Sequence, residues 1–189
     1  MSNYFIDIEK TNVVFDKEDL NYKEFENCVF LNCNFSNCLF KDTTFIDCTF
    51  TTCIFDGTKI NHVAFRTVYF INCSIREVNF AMVSQFIFEI HFKSCVLDFS
   101  KFYDLKMKGT TFTDSSLVAV DFMSADLTEV VFENCDLYKA EFDLAIANKT
   151  NFKTSYNYGI NPRKTKIKKA IFSLEGVKGL LVPHDIIVQ

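Results

Sequence analysis

The sequence contains no tryptophan, and only 5 glycines and 2 prolines among its 189 residues. It also lacks any run of roughly 18 consecutive apolar residues, which a transmembrane helix would need. Its first residues, MSNYFIDIEK, lack the basic start and apolar core of a secretory signal peptide. We therefore expect a cytoplasmic protein that does not enter a membrane and whose thiols stay reduced.

Enzyme and metal signatures are missing as well. There is no G-x-S-x-G nucleophile motif, no Walker phosphate loop and no dinucleotide-binding glycine pattern. The 3 histidines, His62, His91 and His184, have no cysteine or carboxylate cluster beside them at ligand spacing, and we interpret each as a surface residue. These absences favour a protein that is not an enzyme and that binds no cofactor and no metal.

Phenylalanine is what the sequence has in excess, with 23 residues. In the stretch FENCVFLNCNFSNCLF (25–40) a Phe recurs at every fifth position, and a Cys lies two positions before three of the four. An apolar residue keeps this period from Phe15 to Phe80, and the period resumes two residues out of phase from Phe92 to Phe152. Neither a helix nor the alternation of a strand produces a period of five.

The position two residues before each periodic residue is mostly small. All 8 cysteines occupy it, and they alternate there with Ala, Ser, Thr and Val, so the position favours small volume over sulfur chemistry. The uniform CxxxxC spacing differs from the closer pairs of structural zinc sites. Cysteines twenty residues apart, such as Cys33 and Cys53, would lie one strand spacing apart, which exceeds the relaxed Cβ separation of a disulfide, about 3.8 Å.

Each five-residue unit has two inward residues around one outward residue, which is a very short strand, and two further residues that must turn a corner. The second corner residue is often Asn or Asp, which tolerate turn geometry: Asn27, Asn32, Asn37, Asp42 and Asp47. One side and one corner per unit implies square coils of twenty residues, stacked about 4.8 Å apart. The sequence therefore predicts an all-β solenoid.

This pattern resembles the pentapeptide-repeat family, whose consensus is A(D/N)LXX with a central Leu or Phe. The segments Ala125-Asp126-Leu127, Cys135-Asp136-Leu137 and Ala140-Glu141-Phe142 match it closely. The resemblance implies a right-handed quadrilateral β-helix. From the length of the periodic region we expect about seven coils and a short C-terminal capping element.

The periodicity also divides the chain into segments. We predict an N-terminal cap (1–10), a first repeat run (11–80), an interruption that shifts the phase (81–91), a second run with an irregular last coil (92–172) and a C-terminal cap or dimerisation segment (173–189). The predicted core stack comprises Phe25, Phe30, Phe35, Phe40, Phe112, Phe132 and Phe152.

Past the repeats, Ser173 is positioned to cap a short helix with an apolar side. In relatives of the quinolone-resistance type, C-terminal elements join two rods tail to tail, so the resemblance implies a homodimer. The candidate dimerisation residues are Leu174, Val177, Leu180, Leu181, Ile186 and Ile187. The stretch RKTKIKK (163–169) is basic, whereas residues 1–160 carry a net charge of −8, and we expect it to tie down the last coil.

Two features nominate contacts with a partner, each with a plainer alternative. The interruption is either a mechanical connection or a recognition loop. The acidic side chains of the second run either solvate the rod or imitate a nucleic-acid backbone. The candidate partner-binding residues are Met82, Gln85, Phe86, Phe88, Asp121, Asp126, Glu133, Asp136 and Glu141.

Units of the form FxxCxF, such as Phe25 to Phe30, are similar to those of the quinolone-resistance (Qnr-type) and related immunity branch. That branch engages DNA gyrase and topoisomerase IV as DNA mimics, which implies a type II topoisomerase as partner and no direct binding of nucleic acid. The chain departs from the branch in having one short break rather than two long loops, and in its tail from Ile160 onward. The alternative function is a generic interaction scaffold with another protein partner.

The inward assignment can be tested at Phe132. Replacing it with aspartate (Phe132→Asp) would bury an unpaired charge, so we expect the adjacent coils to collapse and Tm to fall by more than about 10 °C. The neighbouring outward position supplies the control, because Glu133→Ala is expected to change stability by less than about 0.5 kcal/mol. An unchanged Tm for Phe132→Asp in thermal unfolding would show that this residue does not face the core.

Overall fold

The computed structural model describes residues 3–86, 88–184 and 186, and it forms a four-sided β-solenoid. All strand pairs are parallel, and residues twenty apart lie in register, as Phe25 and Phe45 do. The predicted all-β solenoid is confirmed. The strands are β1 (Tyr4–Ile6), β2 (Glu9–Thr11), β3 (Glu24–Glu26), β4 (Val29–Leu31), β5 (Leu39–Lys41), β6 (Thr44–Ile46), β7 (Thr49–Thr51), β8 (Lys59–Asn61), β9 (Ala64–Ile71), β10 (Phe88–Lys93), β11 (Thr111–Thr113) and β12 (Val131–Glu133).

The coils present four faces, which we name after one inward residue each. In chain order around the rod these are the Phe45 face, with β1, β3 and β6, the Phe30 face, with β2, β4, β7, β11 and β12, the Phe35 face and the Phe40 face. The Phe35 face is joined by single bridges such as Asn34 to Ile54. The Phe40 face begins with β5 and β8 and continues through bridges from Asn79 to Glu141. The Phe30 and Phe40 faces lie on opposite sides of the rod.

The core is a set of stacked aromatic columns. All seven residues of the predicted core stack are buried, with at most 3% of their surface exposed. The rings of Phe112, Phe132 and Phe152 are nearly parallel and 5.1 to 5.2 Å apart. Rings on adjacent sides meet edge to face, as Phe30 and Phe35 do at 5.8 Å. Both arrangements are favoured aromatic geometries, so each Phe packs along the rod axis and across it.

The corners require a left-handed backbone. Many units have a second corner residue with positive φ. Among the described non-glycine residues these φ values lie between 49° and 64°, and they include all five of the predicted Asn and Asp residues. Thr52, Phe99 and Leu144 also adopt this conformation, although it disfavours branched and bulky side chains. Coil stacking therefore overrides local preference at these corners.

The eight cysteines are all buried and free, and their thiols also act as hydrogen-bond donors. The acceptor is the carbonyl of an inward residue in the preceding coil. The thiol one coil later bonds to it, as Cys48 does to the Phe25 oxygen (3.4 Å) and Cys73 to the Phe50 oxygen (3.4 Å). Burial raises the pKa of Cys48 to about 12, which keeps this thiol protonated at neutral pH.

Alanine takes the same position at other coils. Ala145 lies one coil after Phe122, whose carbonyl accepts a bond from the Ala125 N–H (3.0 Å). Serine and threonine behave like cysteine, since the Thr58 hydroxyl donates to the Phe35 oxygen at 2.7 Å. The small residue is thus chosen for its volume and, at part of the corners, for its donor.

The N-terminal part differs from the prediction. Strands β1 and β2 already pair with β3 and β4, so residues 4–11 belong to the first coil and not to a separate cap. Lys10 stands in register with Phe30, where an apolar residue was expected, and this substitution hid the first coil from the periodicity. About six regular turns lie between residues 24 and 153, and this number differs slightly from the predicted seven.

The interruption consists of a 3₁₀ turn, Phe80–Met82, and a short projection before β10. Asn79 begins the turn by accepting a bond from the Ala81 N–H at 3.1 Å. The ladder then shifts register between Phe88 and Ile90. Phe70 consequently pairs with Phe92, so the two extra residues are absorbed without breaking the aromatic column.

The last coil is irregular and closes at Phe172, whose ring stacks on Phe152 at 5.3 Å. Two 3₁₀ turns follow, Gly176–Leu180 and Val182–His184, where the sequence suggested one short helix. Glu175, not the expected Ser173, is the N-cap of the first turn, although the Ser173 hydroxyl oxygen accepts a bond from the Gly176 N–H at 2.9 Å. Among the described residues, no helix has the length and apolarity needed to cross a membrane.

The donor role of the thiols can be tested at Cys73. Cys73→Ala removes the bond to the Phe50 carbonyl, and we expect it to cost about 1 kcal/mol more than Cys73→Ser, which keeps a donor in a similarly reduced volume. Chemical unfolding of the two variants measures the difference. Equal losses would mean that only volume matters, whereas unfolding of the wild-type protein by a chelator would show that the cysteines bind metal.

Candidate interaction surface

The projection at the interruption carries the most exposed aromatic side chain of the described chain. Phe86 is 93% exposed, although burial of its ring would normally be favourable. Two bonds tie the residues just before Phe86 to the neighbouring coils. The Ser84 N–H bonds to the Val63 oxygen in the preceding coil (2.9 Å), and the Gln85 side chain bonds to the Asp104 oxygen in the following coil (3.1 Å). Phe86 therefore projects from an anchored segment at the corner between the Phe40 and Phe45 faces.

Exposed apolar side chains continue from Phe86 along the Phe40 face. Tyr103 and Met123 follow each other on successive coils beneath the 3₁₀ turn that carries Met82, and Leu144 lies at the neighbouring corner position of the next coil; all four are exposed. The backbone bonds Asp104 N–H to Met123 oxygen (2.9 Å) and Ser124 N–H to Asp143 oxygen (3.0 Å) place Asp143, rather than Leu144, next to Met123 in its column. We call this surface the Phe86 patch; it consists of Met82, Phe86, Tyr103, Met123 and Leu144.

Carboxylates border the Phe86 patch on the same face. Asp121 and Glu141 are bridged neighbours in one column, with Lys101 next in line, and Asp104 lies at the corner. A hydrogen bond with Asp143 raises the pKa of Lys164, so this lysine neutralises that carboxylate. The patch is thus an apolar strip with an acidic margin.

The five acidic candidates do not form one line along the rod. Asp121 and Glu141 share the Phe40 face, whereas Asp126 lies on the Phe45 face, Glu133 on the Phe30 face and Asp136 on the Phe35 face. They surround the rod at neighbouring levels instead of following one side. This arrangement does not reproduce the continuous charge of a nucleic-acid strand.

The remaining partner candidates divide by exposure. Met82, Gln85 and Phe86 lie on the surface, whereas Phe88 is half-buried and packs against the core. Five of the nine candidates, Met82, Gln85, Phe86, Asp121 and Glu141, therefore come together at or beside the Phe86 patch. Sequence reasoning missed Tyr103, Met123 and Leu144, which become visible when outward residues are compared at intervals of about twenty.

The Phe30 face, which lies opposite the Phe40 face, has almost no charge between residues 29 and 113. From Val29 to Thr113, the outward residues of the Phe30 face are apolar or hydroxyl-bearing apart from His91 and Lys93. His91 corrects one expectation, because it is half-buried, stacks on Tyr69 at 5.0 Å and lies 2.9 Å from the Thr111 hydroxyl. His62 and His184 are exposed, as expected.

The dimerisation candidates lie at the C-terminal end of the rod. Leu174 is 92% exposed, and Val177, Leu181 and Ile186 are also exposed, whereas Leu180 is half-buried against the core. Ile187 lies outside the described residues. The end thus presents several apolar side chains to solvent.

A groove of about 800 Å³ separates these turns from the last coils. Its wall includes Tyr138, Tyr156 and Tyr158, and the Tyr158 hydroxyl is buried without a hydrogen-bond partner in the described chain. Burial raises the pKa of Tyr158, so the hydroxyl is a poor nucleophile without a base beside it. No group of three or more His, Cys, Asp or Glu suited to a metal ion occurs in the described part of the chain.

Tyr158 also supports the C-terminal turns directly. A Cβ on Gly179 would lie 2.5 Å from the Tyr158 ring, so we expect Gly179→Ala to displace the turns and cost about 1–3 kcal/mol. Hydrogen exchange at the Ile160 amide, which bonds to the Gly179 oxygen, should accelerate. The exposed neighbour provides the control, Lys178→Ala, and unaltered exchange in Gly179→Ala would contradict this packing.

Two family models match the chain. The pentapeptide repeat region model matches residues 44–122, and the model of eight pentapeptide repeats matches residues 24–57 and 115–153. No curated protein matches the sequence.

Solved structures show the same fold at low identity. HetL, a pentapeptide repeat protein involved in heterocyst differentiation regulation from the cyanobacterium Nostoc, is 13% identical with a TM-score of 0.58, over 92% of this chain and 87% of its own. A trypsin-treated variant of QnrB1, a plasmid-mediated fluoroquinolone resistance protein, is 13% identical with a TM-score of 0.52, over 98% and 100%. Full-length QnrB1 is 14% identical with a TM-score of 0.50, over 97% and 100%. The repeat, the four-sided coil and the family models together show that the chain belongs to the pentapeptide-repeat family.

Proposed function

We propose that this chain is a non-enzymatic protein-binding rod that docks on its partner through the Phe86 patch. The observation that carries the proposal is the exposure of Phe86 on an anchored segment beside four further exposed apolar side chains. A projecting aromatic ring in a rigid setting is typical of a binding hot spot, because little conformational entropy is lost when a pocket encloses it.

The margin of the patch defines the chemistry of the partner. Asp104, Asp121 and Glu141 favour a basic surface around an apolar pocket, and they disfavour direct contact with nucleic-acid phosphates. The regular backbone of the solenoid fixes the spacing of these groups. The partner surface is therefore a protein surface that is apolar at its centre and basic at its rim.

Gyrase or another type II topoisomerase is the first partner to test, with the chain acting as a DNA mimic that protects the enzyme from quinolones. QnrB1, which shares the fold, is a fluoroquinolone resistance protein, and the FxxCxF units resemble the same branch. HetL shares the fold as closely and supports the alternative, a scaffold with an unrelated protein partner. The scattering of the acidic candidates over four faces favours this scaffold over mimicry of a long duplex.

We also propose that copies of the chain associate through the exposed apolar residues of the C-terminal turns, which would give the expected homodimer. Burial of Leu174, Val177 and Leu181 would remove their apolar surface from water. The eight free thiols fit a reducing compartment, and we propose the cytoplasm.

The test is a gyrase supercoiling assay with and without a fluoroquinolone, using wild type and Phe86→Ala. Restored supercoiling at a low concentration of wild type would identify gyrase as the partner. Loss of a hot spot worth about 2 kcal/mol should raise the protein concentration needed by Phe86→Ala roughly 30-fold. Tyr69→Ala, an exposed aromatic residue on the opposite face, is the control and should act like wild type.

Other outcomes separate the two candidate functions. No effect of wild type on supercoiling, with or without drug, would exclude gyrase and leave the scaffold. The scaffold is then tested by photo-crosslinking in cells from position 86 and, as the control, from position 69. Crosslinks that are equal from both positions, or absent from 86, would contradict docking through the Phe86 patch.

A further inference from the structure

We infer that copies of this chain associate head to tail, with the N-terminal end of one rod docked on the C-terminal end of the next. The inference rests on the proposed association through the C-terminal turns, but in place of the tail-to-tail homodimer it has these turns meet a different surface of the second copy. That surface is the first coil, and the argument comes from the strand edges, the apolar centres and the charges of the two ends.

The N-terminal end of the rod is open in the described chain. Among the described residues, strand β2 pairs on one side only, with β4, so its other edge faces away from the rod. The side chains of Phe5, Ile8, Val13 and Phe15 at this end are only half-buried, although they pack on the core. An unpaired strand edge beside apolar side chains is a template for another chain.

The two ends carry opposite charge. Residues 3–26 contain seven acidic and three basic residues, a net charge of −4. Residues 146–178 contain eight basic residues and one acidic residue, a net charge of +7. Two C-terminal ends would therefore repel each other, whereas a C-terminal and an N-terminal end attract.

Most of the positive charge at the C-terminal end is available. Lys149, Lys164 and Lys178 pair with carboxylates of their own chain. The other five cations are exposed and have no carboxylate within ion-pair distance among the described residues: Lys153, Arg163, Lys166, Lys168 and Lys169. An acidic surface can bind them without breaking an internal pair.

Both ends also present an apolar centre inside the charged rim. At the C-terminal end, Leu174 and Val182 are exposed, and Ile167 and Phe172 are half-buried beside them. Together with the half-buried apolar residues of the first coil, they give two different surfaces that complement each other in apolarity and in charge. Such a heterologous contact leaves one end of each kind free and therefore continues to grow.

The contact should be weak and sensitive to salt. The end of a single coil is a small surface compared with the roughly 1,000 Å² that a stable interface buries. Its charged rim is exposed, so added salt screens the attraction over a Debye length of about 10 Å or less. We therefore expect mass to increase with protein concentration and to decrease at high salt.

The experiment is sedimentation of the full chain over a wide concentration range, at low and high salt, with two charge-reversed variants. One carries Glu9→Lys and Glu24→Lys at the N-terminal end, and the other carries Lys166→Glu and Lys168→Glu at the C-terminal end. All four side chains are exposed, so thermal unfolding should show that both variants fold. The N-terminal variant brings the net charge of residues 3–26 from −4 to 0, and the C-terminal variant lowers that of residues 146–178 from +7 to +3. The attraction between the two ends is reduced in both, and we expect the association of each variant alone to weaken at least about tenfold.

Mixing the two variants is the decisive measurement, because the unaltered N-terminal end of the C-terminal variant then meets the unaltered C-terminal end of the N-terminal variant. Restored association in the mixture would support the head-to-tail contact. A wild-type mass that stops at two copies, unaffected by Glu9→Lys and Glu24→Lys, would overturn it and leave the C-terminal homodimer. A monomer under all conditions would overturn both forms of self-association, while the supercoiling and crosslinking results would still decide the proposed partner binding.

Discussion

Every coil depends on one backbone constraint, the left-handed residue that ends each side and turns the chain. This conformation costs an L-residue about 1–2 kcal/mol unless it is Gly, Asn or Asp. The rod repeats it at corner after corner, and it does so even at Thr52 and Leu144. The cost is offset because the turn places each side one strand spacing above the corresponding side of the preceding coil. The two sides then form backbone hydrogen bonds with each other, and their aromatic rings stack. Neighbouring coils therefore stabilise each other, and an isolated coil would have neither contact.

The same constraint decides which residues meet. Each position lies directly over the positions about twenty residues away, so like stacks on like: Phe112 on Phe132, and Asn32 on Asn12, whose side chains are joined by a bond of 2.6 Å. Like charges stacked in this way would repel. Near Glu129 the repulsion is absent, because Lys108 and Lys149 in the neighbouring coils both carry the opposite charge. Hydrogen bonding to Lys149, together with the nearby Lys108, lowers the pKa of Glu129. Columns, rather than sequence neighbours, are therefore the units of both core and surface.

This geometry explains what the sequence could and could not predict. The period of five and the small position before each Phe were enough for the solenoid, because burial and backbone turning impose them locally. The first coil was missed because Lys10 interrupts the apolar column at the rod end, where burial is incomplete. The donor role of the thiols was missed because each acceptor lies in the preceding coil, 23 residues away in the sequence for Cys48 and for Cys73. The Phe86 patch was found only in part, since Tyr103 and Met123 join Phe86 across coils, whereas Asp121 and Asp126, five residues apart, lie on different faces.

The two inferred contacts use different parts of the rod and are therefore compatible. The Phe86 patch lies on the side of the solenoid, at the Phe40 face, whereas the complementary charges lie at the ends. The eight strand spacings from Lys10 to Phe172 correspond to a rod of about 40 Å. Head-to-tail association would accordingly repeat the Phe86 patch at about that interval along one assembly. A partner with several binding sites would then gain avidity from the array, because the second contact becomes intramolecular once the first has formed. Weak end contacts and a modest side patch can in this way produce tight binding, and the assembly state of the rod would control it.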